Sequence, residues 1–181
     1  MKKYNIAFIP KKISKDVINL VQTEDVVSKE YLIGENSIPH VTVCQFYLDE
    51  DKLNDVVGSI EANVISSIEL RFKKYSHITF NDRDYWISLL PDYNEELMEV
   101  YQMIINYVKP IREDVYDPHL TLFNYNPEES SIAKKKCIEL LETGIDIKDE
   151  FYLAVCDCDE YGQISKIIKI LASETVYRIG L

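Results

Sequence analysis

With 181 residues, 46% of them hydrophobic and 11% aromatic, the chain reads as one compact folded domain and not as a disordered segment. A net charge of −11 argues against a protein that coats long nucleic acid, because nonspecific affinity for polyphosphates comes mainly from lysine and arginine. A small nucleotide in a locally positive cleft stays compatible, since net charge describes the whole surface and not one groove.

Residues 3–9 predict a buried strand closed by Pro10. This apolar stretch is too short for a signal-peptide core, and no later run is long enough to span a membrane. Ser14 is a candidate cap for a helix over 15–23, and residues 30–33 predict a short strand turned at Gly34-Glu35-Asn36-Ser37. Pro39 holds Ile38 extended, and a strand runs from His40 to Leu48. A helix starting at Asp49 or Asp51 is expected to reach about Val64. Ile68 to Tyr75 alternates as a strand, and His77 to Phe80 is expected to pair with Tyr85 to Leu90. Leu97, Val100, Tyr101, Ile104, Ile105 and Val108 place a helix over 94–108. A strand follows from His119 to Tyr125, then a helix with Pro127 in its first turn running to Leu141. Residues 151–158 and 163–171 predict a terminal hairpin turned at Asp159-Glu160-Tyr161-Gly162. The order of elements indicates an α+β fold with mostly antiparallel sheets.

Within this order the chain repeats itself. Ile38-Pro39-His40-Val41-Thr42-Val43 returns 79 positions later as Asp117-Pro118-His119-Leu120-Thr121-Leu122. Tyr4-Asn5-Ile6-Ala7-Phe8-Ile9-Pro10 returns 81 positions later as Tyr85-Trp86-Ile87-Ser88-Leu89-Leu90-Pro91. Two similarities in the same order at nearly the same shift indicate a duplicated half of about 80 residues. The whole of 1–181 is then a single domain made of two pseudo-symmetric lobes.

Two of the three histidines lie in the repeated unit. A threonine two residues after a histidine shares its face in an extended segment, so each unit presents an imidazole beside a hydroxyl. If a pseudo-twofold axis brings the halves together, a phosphorus centre between them meets an imidazole on each side. His40 and His119 are therefore candidate proton-transfer groups: one takes a proton from water or a ribose hydroxyl, and the other gives one to the leaving oxygen. Thr42 and Thr121 are candidate donors to the non-bridging oxygens. No metal or other cofactor is needed for such chemistry. Alternation also aims Phe46, Phe123 and Tyr125 at the same cleft, as stacking platforms for a base.

This arrangement resembles the 2H phosphoesterase superfamily, named for two H-x-T/S motifs in a duplicated, bilobal α+β fold. Its members include bacterial RNA 2′,3′-cyclic phosphodiesterases, often called 2′-5′ RNA ligases, and enzymes that degrade 2′-5′ oligoadenylate or cyclic oligonucleotides. The resemblance implies two mostly antiparallel sheets with outer helices and a central cleft. It also implies catalytic His40 and His119, phosphate-holding Thr42 and Thr121, and a nucleotide, short oligonucleotide or RNA terminus as the partner molecule. The expected protein is monomeric and cytoplasmic. End-joining through a 2′-5′ linkage is the same chemistry reversed, and a catalytically silent nucleotide-binding or interaction module is the reading from another class.

Other features take plainer readings. His77-Ile78-Thr79 lacks the preceding proline and is expected to be structural or at the surface. Zinc is disfavoured by the wide spacing of the histidines, and Cys44, Cys137, Cys156 and Cys158 show no CxxC pair, so reduced thiols are expected. The basic groups Arg71, Lys73 and Lys74 and the run Lys134-Lys135-Lys136 read as solvated faces. Asp117 shares a strand face with His119 and is a candidate to orient it, but before Pro118 it reads first as a turn residue.

Overall fold

The computed structural model describes residues 1–11, 33, 37–63, 65, 67–79, 83–113, 116–129 and 131–171. The helix expected over 15–23 and most of the strand expected over 30–33 lie outside the described residues. Strand β1 (Lys2–Pro10) pairs with β2 (Val41–Leu48). A 3₁₀ turn, Glu50–Lys52, leads into helix α1 (Leu53–Glu61). The long strand β3 (Ser67–Thr79) pairs with β4 (Tyr85–Pro91), followed by helix α2 (Glu95–Ile104). Then come β5 (Leu120–Tyr125), helix α3 (Ser131–Glu142), β6 (Ile147–Cys158) and β7 (Ile164–Ile170).

The seven strands among the described residues join one antiparallel sheet in the order β2-β1-β6-β3-β4-β5, with β7 also on β6. Two sheets were expected, and the strand that unites them is β6. Its first half pairs with β3 through Ile147 to Tyr152, and its second half pairs with β1 through Phe151 to Asp157. The polar beginning of β6, Ile147-Lys148-Asp149-Glu150, hides this continuity from a hydrophobic pattern.

The apolar face of the sheet carries the main core. Tyr4, Ile6 and Phe8 of β1, Leu70 and Phe72 of β3 and Leu153 and Val155 of β6 are buried there. Each helix adds a stripe at helical spacing: Leu53, Val57 and Ile60 from α1, Leu97, Val100 and Ile104 from α2, and Ala133, Cys137 and Leu140 from α3. The opposite face holds a smaller cluster around Ala7, Ile9, Ala154, Cys156 and Ile164. Alternation along β1 and β6 separates the two faces.

Helix ends deviate from pattern for local reasons. Asn94 caps α2 by accepting from the Leu97 N–H (2.8 Å), as its residue type favours. The expected end at 108 is not reached, because Asn106 N and Tyr107 N turn to the carbonyls of Met103 and Ile104 in a tightened last turn. Pro127 lies in a separate turn over 127–129, closed by Glu129 N to Asn126 O, and α3 starts only at Ser131.

Candidate active site

The two repeated motifs sit at the two ends of the sheet, on edge strands β2 and β5, and the sheet curls until these edges touch. Backbone and side-chain bonds hold them there. Tyr116, three residues before His119, donates from its hydroxyl to the Thr42 carbonyl at 3.3 Å. Its ring stacks on Tyr101 of α2, with centroids 4.1 Å apart. The outer edge of β2 also receives Ile111 N at Gln45 O, and that of β5 receives Ile33 N at Leu122 O.

The strand pairs match in detail. In β1–β2, Tyr4 faces Phe46, Ile6 faces Cys44 and Ala7 faces Thr42; in β4–β5, Tyr85 faces Tyr125, Ile87 faces Phe123 and Ser88 faces Thr121. Each pairing skips one residue of the motif strand, Val43 in β2 and Leu122 in β5. These are β-bulges at the same place in the repeat.

The bulges decide which side chains reach the site. Before the bulge His40 and Thr42 share a face with Ile38, which packs on the smaller cluster, while Val41 and Val43 face the core. The extra residue reverses the alternation, so Cys44 and Phe46 also turn into the core. In β5 the same reversal buries Leu122, Phe123 and Tyr125 together. Phe46, Phe123 and Tyr125, expected as base platforms, are thus core residues, because strict alternation fails at a bulge. Tyr125 meets His77 instead, its hydroxyl 3.3 Å from His77 Nε2. His77 also packs on Tyr85 at 4.7 Å, in register with core-facing Ile87 and so on the opposite face from the motifs.

Both motif histidines are anchored alike. His40 Nδ1 lies 2.7 Å from Ile38 O, and His119 Nδ1 lies 2.8 Å from Asp117 O. A carbonyl only accepts, so in each neutral ring Nδ1 carries the proton and Nε2 keeps its lone pair for a ligand. Their surroundings differ. His40 is buried, with 8% of its surface exposed, whereas the His119 side chain is 31% exposed, with an Asp117 carboxylate oxygen 3.8 Å from Nδ1. Burial pushes His40 down to about 4, against the pull of the Ile38 carbonyl, and the nearby His119 adds to the lowering. His40 is therefore neutral at pH 7.

The threonines are held too. Asn5 of β1 donates its amide to Thr42 Oγ1 at 3.1 Å, and Ser88 of β4 reaches Thr121 Oγ1 at 3.4 Å. Sequence reading passed over both residues. Their one signal is a buried polar side chain inside an otherwise apolar strand, Tyr-Asn-Ile-Ala-Phe and Ile-Ser-Leu. Cys44, next to the motif, is no nucleophile, since burial raises its thiol to about 12.

Among the described residues, no three His, Cys, Asp or Glu side chains gather as a metal-binding group. Nor is any helix among them long and apolar enough to cross a membrane. Two of the basic groups are engaged in ion pairs: Arg71 with Asp146 (Nε–Oδ1 2.6 Å) and Lys73 with Asp92 (3.1 Å). Lys134 to Lys136 lie on α3, which covers the apolar face.

No protein-family model matches the chain, and no curated protein matches it. A solved structure titled "Crystal structure of phosphoesterase" is similar to it with a TM-score of 0.49 and 9% identity, over 86% of this chain and 87% of that one. A likeness of that degree carries no activity across, and function has to be argued from the residues.

Proposed function

We propose that this chain is a metal-independent phosphodiesterase of the 2H type, a single domain of two pseudo-symmetric lobes with the cleft between their motif strands. The observation that carries the reading is the pair of anchored imidazoles. Each is tied through Nδ1 to the carbonyl two residues back, each has no hydrogen-bond partner at Nε2 among the described residues, and each stands two residues from a threonine held by the neighbouring strand.

His40, neutral through burial, is the base in this mechanism. Its Nε2 takes a proton from water as the water oxygen bonds to phosphorus. His119, open to solvent and beside Asp117, is the acid: it gives its proton to the ribose oxygen as the phosphorus–oxygen bond breaks. Thr42 and Thr121 donate to the non-bridging oxygens, where negative charge concentrates. The proton gained by His40 and lost by His119 returns through solvent. Substrates of this chemistry are 2′,3′-cyclic phosphates or 2′-5′-linked and cyclic oligonucleotides, taken up by a monomer. The acidic surface favours short substrates over long RNA.

The test is turnover. Nucleoside 2′,3′-cyclic phosphates, 2′-5′ oligoadenylates and cyclic dinucleotides are incubated with the purified chain in EDTA, and products are separated by chromatography. Hydrolysis of at least one class at a rate unchanged by EDTA is expected. Hydrolysis that stops on chelation overturns the two-imidazole mechanism, and binding without any turnover favours the silent module.

A further inference from the structure

Asn5 is fully buried in β1, yet every other residue from Tyr4 to Ile9 is apolar, and its Oδ1 has no hydrogen-bonding partner among the described residues. A buried polar group with one end unmatched weakens a core, so such a residue in a central strand points to a role other than packing. Its other end is well defined. The side-chain nitrogen lies 3.1 Å from Thr42 Oγ1 and 3.4 Å from the Gly162 carbonyl. A carbonyl cannot donate, so the Gly162 oxygen settles which end of the amide is NH₂ and hence the direction of the bond to Thr42. The threonine oxygen accepts.

The β6–β7 turn is built to bring that carbonyl in. Asp159 Oδ1 accepts from Tyr161 N and Gln163 N, both at 2.9 Å, and Gly162 adopts φ 90°. The positive φ favours glycine at this corner, and the turn lies against the Gln45 side chain of β2, whose Nε2 is the atom a Cβ at Gly162 would displace.

We propose that Asn5 is a positioning residue that sets the polarity of the Thr42 hydroxyl. With its oxygen occupied as acceptor by the Asn5 amide, the hydroxyl has its own proton free to donate, and the phosphate oxygen is the acceptor it meets. The second motif works differently, because Ser88 is a hydroxyl that donates or accepts equally well. Polarity is thus imposed on the first motif and left free in the second. This inference rests on the phosphodiesterase reading above.

The experiment is a double-mutant cycle on a nucleoside 2′,3′-cyclic phosphate, with Asn5→Ala, Thr42→Val and the pair. Asn5→Ala is expected to lower kcat by about three- to fivefold, no more than Thr42→Val itself, with KM within about twofold, because the hydroxyl bond strengthens as charge develops. In the Thr42→Val background the same change is expected to alter kcat by less than about twofold. Asn5→Asp, whose carboxylate accepts the hydroxyl proton and turns the bond around, is expected to cost more than the alanine. Should the alanine variant fail to fold, by circular dichroism and thermal melting, Asn5→Ser carries the same cycle. An unchanged kcat in Asn5→Ala, or an equal loss with and without the Thr42 hydroxyl, overturns the positioning role alone. Absence of turnover by the unmodified chain overturns this inference and the phosphodiesterase reading together.

Discussion

The two motif strands follow one backbone plan down to the position of the bulge, but they place their histidines in different media. His40 is buried, with only 8% of its surface exposed; His119 keeps nearly a third of its side chain in solvent beside a carboxylate. The residue two before the histidine is Ile38 in one copy and Asp117 in the other, so the shared carbonyl anchor is backbone and the difference is side chain. An acid and a base need opposite protonation at one pH, and twin sites become useful partners once their surroundings differ.

The largest effect expected from breaking the pair is loss of either imidazole. His40→Ala and His119→Ala should each lower kcat/KM by at least ~10², since each removes one proton-transfer role. The sharper result lies in the pH profiles. The unmodified chain should give a bell whose acid limb falls near pH 4, where burial puts His40, and not near the ordinary 6.5. Activity rises through that limb as His40 loses its proton, and the limb should vanish in His40→Ala while surviving in His119→Ala. Initial rates from pH 3 to 9 decide this.

The same burial should register in stability. His40 titrates near 4 when folded and near 6.5 when unfolded, so between these values the unfolded chain binds the extra proton. Stability should therefore fall as pH drops from 6.5 to 4, by ~3 kcal/mol from this group alone. Urea midpoints of the chain and of His40→Gln, compared across that window, check it: the variant should lose less on acidification.

Smaller effects probe the hydroxyls and the lysines. Thr42→Val and Thr121→Val each remove one neutral hydrogen bond and should slow turnover by about three- to tenfold. Replacing Lys134, Lys135 and Lys136 by alanine should alter the ratio of kcat/KM for a structured RNA and a dinucleotide, both ending in a 2′,3′-cyclic phosphate, by less than about twofold. That helix covers the face away from the histidines, so no phosphate contact is lost.

Much of this was legible in residues whose type is demanding. Pro-His-apolar-Thr occurs twice, and the structure brings both copies to adjoining edges with both imidazoles anchored alike. The α+β elements followed from periodicity, because their apolar stripes are regular. What misled was a strict period of two. A bulge inserts one residue without any mark in composition, since Val43 and Leu122 read as ordinary strand residues, and it sent Phe46, Phe123 and Tyr125 into the core. Asn5 and Ser88 escaped notice because their role lies in bonds across strands, which sequence order does not display.

The closure of the site has a consequence for the molecule in a crowded solution. An edge strand offers unpaired amides and carbonyls to any passing chain, the usual template for aggregation. Here the outer edges of β2 and β5 are turned toward each other and partly satisfied from within, at Thr42 O by Tyr116, at Gln45 O by Ile111 and at Leu122 O by Ile33. The contacts that assemble the cleft therefore also shield two exposed margins of the sheet. A substitution that loosens them, such as Tyr116→Ala, opens the cleft and offers both margins to neighbouring chains, so self-association is a second price of losing the site.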